Sequence, residues 1–264
     1  MSRVWAGVIT FLALTVGASN ASATAFFTGT SSGLSAEAYF TISGNQLTIL
    51  LTNTDAATGS GAPTNPAQVL TGLFFNLGTS TFDPVSAELT ANASILQAAQ
   101  CDVPATCAST TNVGGEFSYA YGGVNWLAGT NQGISSSGYL NDGTTAGNLG
   151  GGDLDDPDAL DGINFGIVPD GWDSSLGNNK LKNKVPLIEG TVQFVLEIPE
   201  GLSEADISNV YFTYGTDKNE GTVTGETTGG LETGSGINVP EPASLSLLGL
   251  ALAGAAYRLN RRRQ

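Results

Sequence analysis

The chain has no histidine in 264 residues. That absence excludes Ser-His-Asp and Cys-His nucleophilic catalysis, His-ligated zinc and iron sites, and the side chain that ordinarily titrates near neutral pH. Cysteine is almost as scarce, and two residues cannot complete a four-cysteine zinc site. Positive charge is sparse too: nine Lys and Arg stand against 24 Asp and Glu, a net charge of −15. Such a surface repels phosphate backbones and anionic headgroups and attracts divalent cations and basic partners, so nucleic-acid binding is set aside. No sustained helical period runs through the middle of the chain. Helix formers are few there, and Gly, Ser, Thr and Asn are everywhere, a composition that favours strands joined by turns.

The two ends differ from the middle. Arg3 gives a short basic start, Val4 to Val16 an apolar run, and Ala21-Ser22-Ala23 a set of small residues. Together they read as a signal peptide over residues 1–23, cut after Ala23 to leave Thr24 first. At the other end Pro240-Glu241-Pro242 is stiff and extended, because each proline fixes its own backbone and restricts the residue before it. Ala243 to Tyr257 is uncharged, and Arg258, Arg261, Arg262 and Arg263 close the chain. At roughly 1.5 Å per residue the apolar run is short for a hydrocarbon core of about 30 Å, which favours snorkelling by Arg258. The arginines hold that end on the cytoplasmic side. A plain C-terminal membrane anchor is the competing reading.

Val239-Pro240-Glu241-Pro242, the short Leu/Ala/Gly-rich span and the arginine cluster resemble the PEP-CTERM sorting signal of exosortase-dependent surface proteins. The resemblance covers about a tenth of the chain. It implies export through the Sec translocon with a signal peptidase, a transient stay in the inner membrane, cleavage near Pro240–Pro242 by an exosortase, and delivery to the cell surface or extracellular matrix of a Gram-negative cell. The segments Leu160 to Ile167 and Val210 to Thr216 are similar, more weakly, to stretches of β-rich proteins of this kind. The implied role is structural or adhesive rather than enzymatic.

Between the ends, residues 24–215 read as one β body and 216–239 as a flexible Gly/Thr/Glu-rich spacer ahead of the 240–264 signal. Over residues 24–239 the lysines 180, 182, 184 and 218 are the only cations; four against twenty-three acids leave −19. Ala36 to Ile42 alternates apolar and polar, turns at Ser43-Gly44-Asn45, and continues into Leu47 to Thr52, a hairpin pattern. Val69 to Leu77 reads as a buried strand, Val85 to Leu89 and Phe117 to Tyr121 as shorter ones, and Val192 to Ile198 and Ile207 to Tyr214 as two late ones. Strands at both ends of the body predict an antiparallel β-sandwich of jelly-roll or immunoglobulin-like type. With no fixed repeat, a β-solenoid ranks lower.

Three constellations carry chemical potential. Cys101 and Cys107 stand six residues apart in an exported chain, which predicts a disulfide closing a small loop. Asp153, Asp155, Asp156, Asp158 and Asp161 put five carboxylates into nine residues with no cation nearby. Calcium, which takes six to eight oxygens from flexible loops, would relieve their repulsion; the competing reading is a solvated acidic loop, and the spacing does not match an EF-hand. Tyr119, Tyr121, Trp126 and Tyr139, set among Gly, Asn and Ser between residues 114 and 161, read either as a sugar-stacking platform or as anchors of a loop onto its own body. The platform would make the body a module for the exopolysaccharide matrix. Paired carboxylates of a glycosidase are the hydrolytic chemistry such a composition permits, but no motif singles out a pair.

Overall fold

The computed structural model describes residues 24–55, 63–78, 80–122, 127–137, 144–150, 154, 162–175, 178–217 and 219–228. Among them strands are the main regular structure, joined by turns and loops, with one helical turn, α1 (Pro104–Cys107), and a few 3-10 turns. The predicted signal peptide, the 240–264 tail and most of the acidic loop lie outside the described residues.

Six strands make the first sheet: β1 (Ala25–Ser31), β2 (Leu34–Ser43), β3 (Gln46–Asn53), β5 (Asp83–Leu89), β12 (Thr191–Glu197) and β15 (Glu226–Thr227), in the order β15-β1-β2-β3-β12-β5. Every pairing in it is antiparallel. The period-2 pattern drives the arrangement, since side chains of a strand point alternately to its two faces. Ala36, Ala38 and Phe40 of β2 and Leu47, Ile49 and Leu51 of β3 are buried, while the residues between them lie on the outer face. The predicted hairpin is present with Ser43 opposite Gln46, and Gly44 supplies the positive φ that its two-residue loop requires.

The second sheet is built around β4 (Leu70–Asn76). It pairs with β8 (Gln132–Ser135) and β13 (Ser208–Tyr214), and through Leu70 with β10 (Ile167–Val168). The sheet extends through β7 (Ser118–Tyr121) and β9 (Thr144–Asn148), through β11 (Leu187–Glu189) and β6 (Ser94–Leu96), and through β14 (Thr222–Thr224) beyond β13. Leu70 to Phe75 are all buried, so β4 is covered on both faces and its near-continuous apolar run is explained. Phe75 meets Phe40 of the first sheet with ring centroids 5.3 Å apart, and Phe117 meets Phe194 at 5.0 Å. One apolar core therefore lies between the two sheets. Each buried Phe, Leu or Ile there stabilises the fold by roughly 1.5–3 kcal/mol. Phe74, on the other face of β4, packs with Ala120 and Leu127 in a smaller cluster.

Two expectations need correction. The second sheet is mixed, because β10 and β11 run parallel, with Ile167 opposite Ile188. The body also continues past residue 215 into the stretch read as spacer. β14 pairs Val223 with Phe212, and β15 pairs Thr227 with Phe27. The reason is packing that the local sequence does not announce: Val223 is buried, and a β-carbon on Gly29 would stand 2.8 Å from the Thr224 carbonyl oxygen. Within 114–161 the predicted short strand at Phe117 to Tyr121 is present as β7, paired with β8 on one side and β9 on the other.

Candidate functional site

Of the predicted aromatic platform, Tyr119 and Tyr121 are described, and Tyr119 is not exposed. Tyr119 on β7 is fully buried, its ring lying parallel to Phe82 at 6.4 Å. Its hydroxyl accepts the Phe82 N–H at 3.1 Å and donates to Gln132 Oε1, whose amide nitrogen in turn donates to the Ser80 carbonyl at 3.2 Å. Burial pushes the Tyr119 hydroxyl above its ordinary value, so it stays a neutral donor. Tyr119 is thus a pin of the core and is removed from any sugar-binding face. Tyr121 is half-buried against the main core, and Trp126 and Tyr139 lie outside the described residues. The aromatic surface that is exposed was not read from the sequence. Phe26 and Tyr39 stack across β1 and β2 with centroids 4.2 Å apart, and Tyr39 is 38% exposed. Their register as direct cross-strand partners brings them together.

The cysteines are joined as expected, Cys101 to Cys107 with Cα atoms 6.4 Å apart. Both are buried in the main core, so the bridge fastens α1 and its loop to the body. The acidic loop at Asp153, Asp155, Asp156, Asp158 and Asp161 lies outside the described residues, and among the described residues no three metal-ligating side chains group together. Leu154, in the middle of that loop, is buried, and its N–H donates to the Glu116 carboxylate at 2.6 Å.

A cleft of about 160 Å³ opens where β1 begins, lined by Thr24, Phe26, Glu204, Ile207 and Thr227 among others. Glu204 leads a 3-10 turn, Glu204–Asp206, held by bonds from the Ser203 N–H and hydroxyl to Asp206 Oδ2, both 2.9 Å. Glu204 as a residue is only 7% exposed, and its carboxylate accepts the Ile42 N–H at 2.6 Å. The Ser35 carbonyl accepts from Thr54 on the β3 side. Alternation along β2 then directs the Ile42 N–H to the opposite edge, toward β1. With Ala25 opposite Phe40, Glu204 bonds that amide two positions beyond, ahead of the point where the described part of β1 begins. The Ser203-Glu204-Ala205-Asp206 pattern was a legible cue for the turn; the burial of Glu204 was not.

Another buried acid sits elsewhere. Asp55 is 8% exposed, and burial holds its carboxyl above the usual range. Asp55 Oδ2 and the Tyr214 hydroxyl are both buried and, among the described residues, bond to no protein group. Burial, and after it the charge of Asp55, raise the Tyr214 hydroxyl further.

Residues 238–263 match the PEP-CTERM protein-sorting motif. The chain therefore carries the address of an exosortase-processed protein exported to the cell surface, on a mainly β body. No curated protein and no solved structure matches the chain. No helix among the described residues is long and apolar enough to cross a membrane.

Proposed function

We propose that the chain is non-enzymatic cargo of an exosortase system, with a structural or adhesive role at the cell surface or in the extracellular matrix. The observation that carries this reading is the sorting motif at residues 238–263 following a β body whose last described strand ends at Thr227. About ten residues separate that strand from the motif, enough to hold a protease site clear of the fold. In this reading the Sec translocon delivers the precursor, signal peptidase cuts after Ala23, and Ala243 to Tyr257 with Arg258 and Arg261 to Arg263 hold it briefly in the inner membrane. Exosortase then cuts near Pro240–Pro242. The body is a two-layer sandwich in which the two sheets close over one core. Intact mass of the surface-released protein tests the reading. A chain from Thr24 to near Pro240 is expected, and one still carrying Arg261 to Arg263 overturns it.

A second reading, polysaccharide binding, draws on the exposed Phe26–Tyr39 stack, since an aromatic face accepts the apolar face of a sugar ring. A glycan array with the protein and with Tyr39→Ala separates the two. Binding that Tyr39→Ala abolishes supports it, and no binding to any glycan leaves the structural role.

A further inference from the structure

Among the described residues, the cleft beside Thr24 holds a buried acid and no cation. An ionised carboxylate taken out of water is costly unless it is paired or fully hydrogen-bonded. Among the described residues, Glu204 receives one backbone N–H, at 2.6 Å, and no Lys or Arg lines the cleft. None is close in sequence either, since the body's lysines fall at 180, 182, 184 and 218. Thr24, whose side-chain hydroxyl lies 3.3 Å from that of Thr41, lines the same cleft. In the precursor the Thr24 nitrogen is a neutral amide. Cut after Ala23, it becomes an ammonium.

We infer that signal-peptide removal completes this cleft: the α-amino group freed on Thr24 pairs with the Glu204 carboxylate and locks the start of β1 against the 204–206 turn. The inference rests on the reading that cleavage falls after Ala23. It makes maturation a stabilising event, because the positive charge the cleft lacks is created by the cut. Apart from Glu204, no charged or titratable group among the described residues lines the cleft. Asp206 is bonded by Ser203, Glu226 of β15 stands opposite Thr28, and Tyr39 of β2 stacks on Phe26. A free α-amine ordinarily titrates at about 7.7–8.0, and a carboxylate partner raises that value. The stabilisation is then fully present below the ordinary value and is lost as pH rises through the raised one.

The test compares the processed chain, residues 24–239, with a free and with an acetylated Thr24 amine, each with Glu204 and with Glu204→Gln, which keeps an acceptor for Ile42. Thermal melting at pH 6.5 is expected to put the free-amine form about 2–4 °C above the acetylated one. The gap should close by about pH 10 and be absent in Glu204→Gln. Equal melting of the free and acetylated forms at pH 6.5, or a gap that survives Glu204→Gln, overturns the pair. Intact mass of the exported protein reports on the cut by itself: a first residue other than Thr24 overturns the maturation role, whatever the purified forms show.

Discussion

Gly29 of β1 lies against Thr224 of β14 so closely that a β-carbon on the glycine would stand 2.8 Å from the threonine's carbonyl oxygen and 2.8 Å from Val223 Cγ1. The contact ties the first strand of the body to a segment that reads, on composition, as linker. Chains ending at residue 228 and at residue 215 should therefore behave differently. The 24–228 chain is expected to melt with the 24–239 chain. The 24–215 chain uncovers Phe212 and Gly29 and should melt at least 10 °C lower or fail to fold, since one kcal/mol corresponds to about 2–4 °C at this size. Gly29→Ala in the longer chain should cost about 1–3 kcal/mol by overpacking. Indistinguishable melting of the two truncations would place the boundary back at 215.

The elements legible in the sequence were those whose own pattern decides their fate. Ala36 to Thr52 declares itself because alternation and a Ser-Gly-Asn turn agree, and Val69 to Leu77 because a short apolar run bounded by turns has few other uses. What stayed hidden is set by distant partners. Thr222–Thr224 and Glu226–Thr227 contain one apolar residue between them and become strands because Phe212 and Phe27 offer open ladders. The parallel β10–β11 pair spans two residues on each strand, too few for any period. Tyr119 misled for the same reason. An aromatic among small residues has one look in sequence whether its ring faces solvent or Phe82, and the buried Gln132 that fixes its hydroxyl comes thirteen residues later.

That pin yields a prediction. Tyr119→Phe keeps the ring and removes the hydroxyl, leaving the Phe82 N–H and the Gln132 carbonyl buried without their partner. A loss of about 1–3 kcal/mol is expected in urea unfolding, the cost of stranding buried polar groups. Tyr121→Phe, at a half-buried position, should stay within about 0.5 kcal/mol. If the two substitutions cost the same, the Tyr119 network contributes nothing beyond packing.

The Cys101–Cys107 bridge closes a short loop whose two sulfurs sit in the main core. Loop-closure entropy for so short a span contributes about 2 kcal/mol. The double substitution Cys101→Ser, Cys107→Ser should lower stability by at least that much, because it also places hydroxyls in an apolar site. Reduction of the unmodified protein should reproduce most of the effect. A double variant as stable as the parent would show that α1 is held by its other contacts alone.

Asp55 gives the fold a pH dependence of determinate sign. Burial raises its carboxyl above the ordinary 3.8, so the folded state binds the proton more tightly than the unfolded chain does. The stability associated with the neutral form is fully present below pH 3.8 and is lost as pH rises through the folded value. At pH 7 the ionised Asp55 is a cost, because burial disfavours its charged form. Asp55→Asn removes the charge, keeps an acceptor and adds an amide donor. The variant should therefore melt above the parent at pH 7, and its advantage should shrink steadily toward pH 3.5 as the parent's carboxyl protonates in both states. The difference between the two melting curves isolates this residue from the general relief of repulsion that acid brings to a body of net charge −19 over residues 24–239. An advantage for Asp55→Asn that is the same at pH 3.5 and pH 7 would mean that the gain is packing or hydrogen bonding, and that the Asp55 carboxyl does not titrate above its ordinary value in the fold.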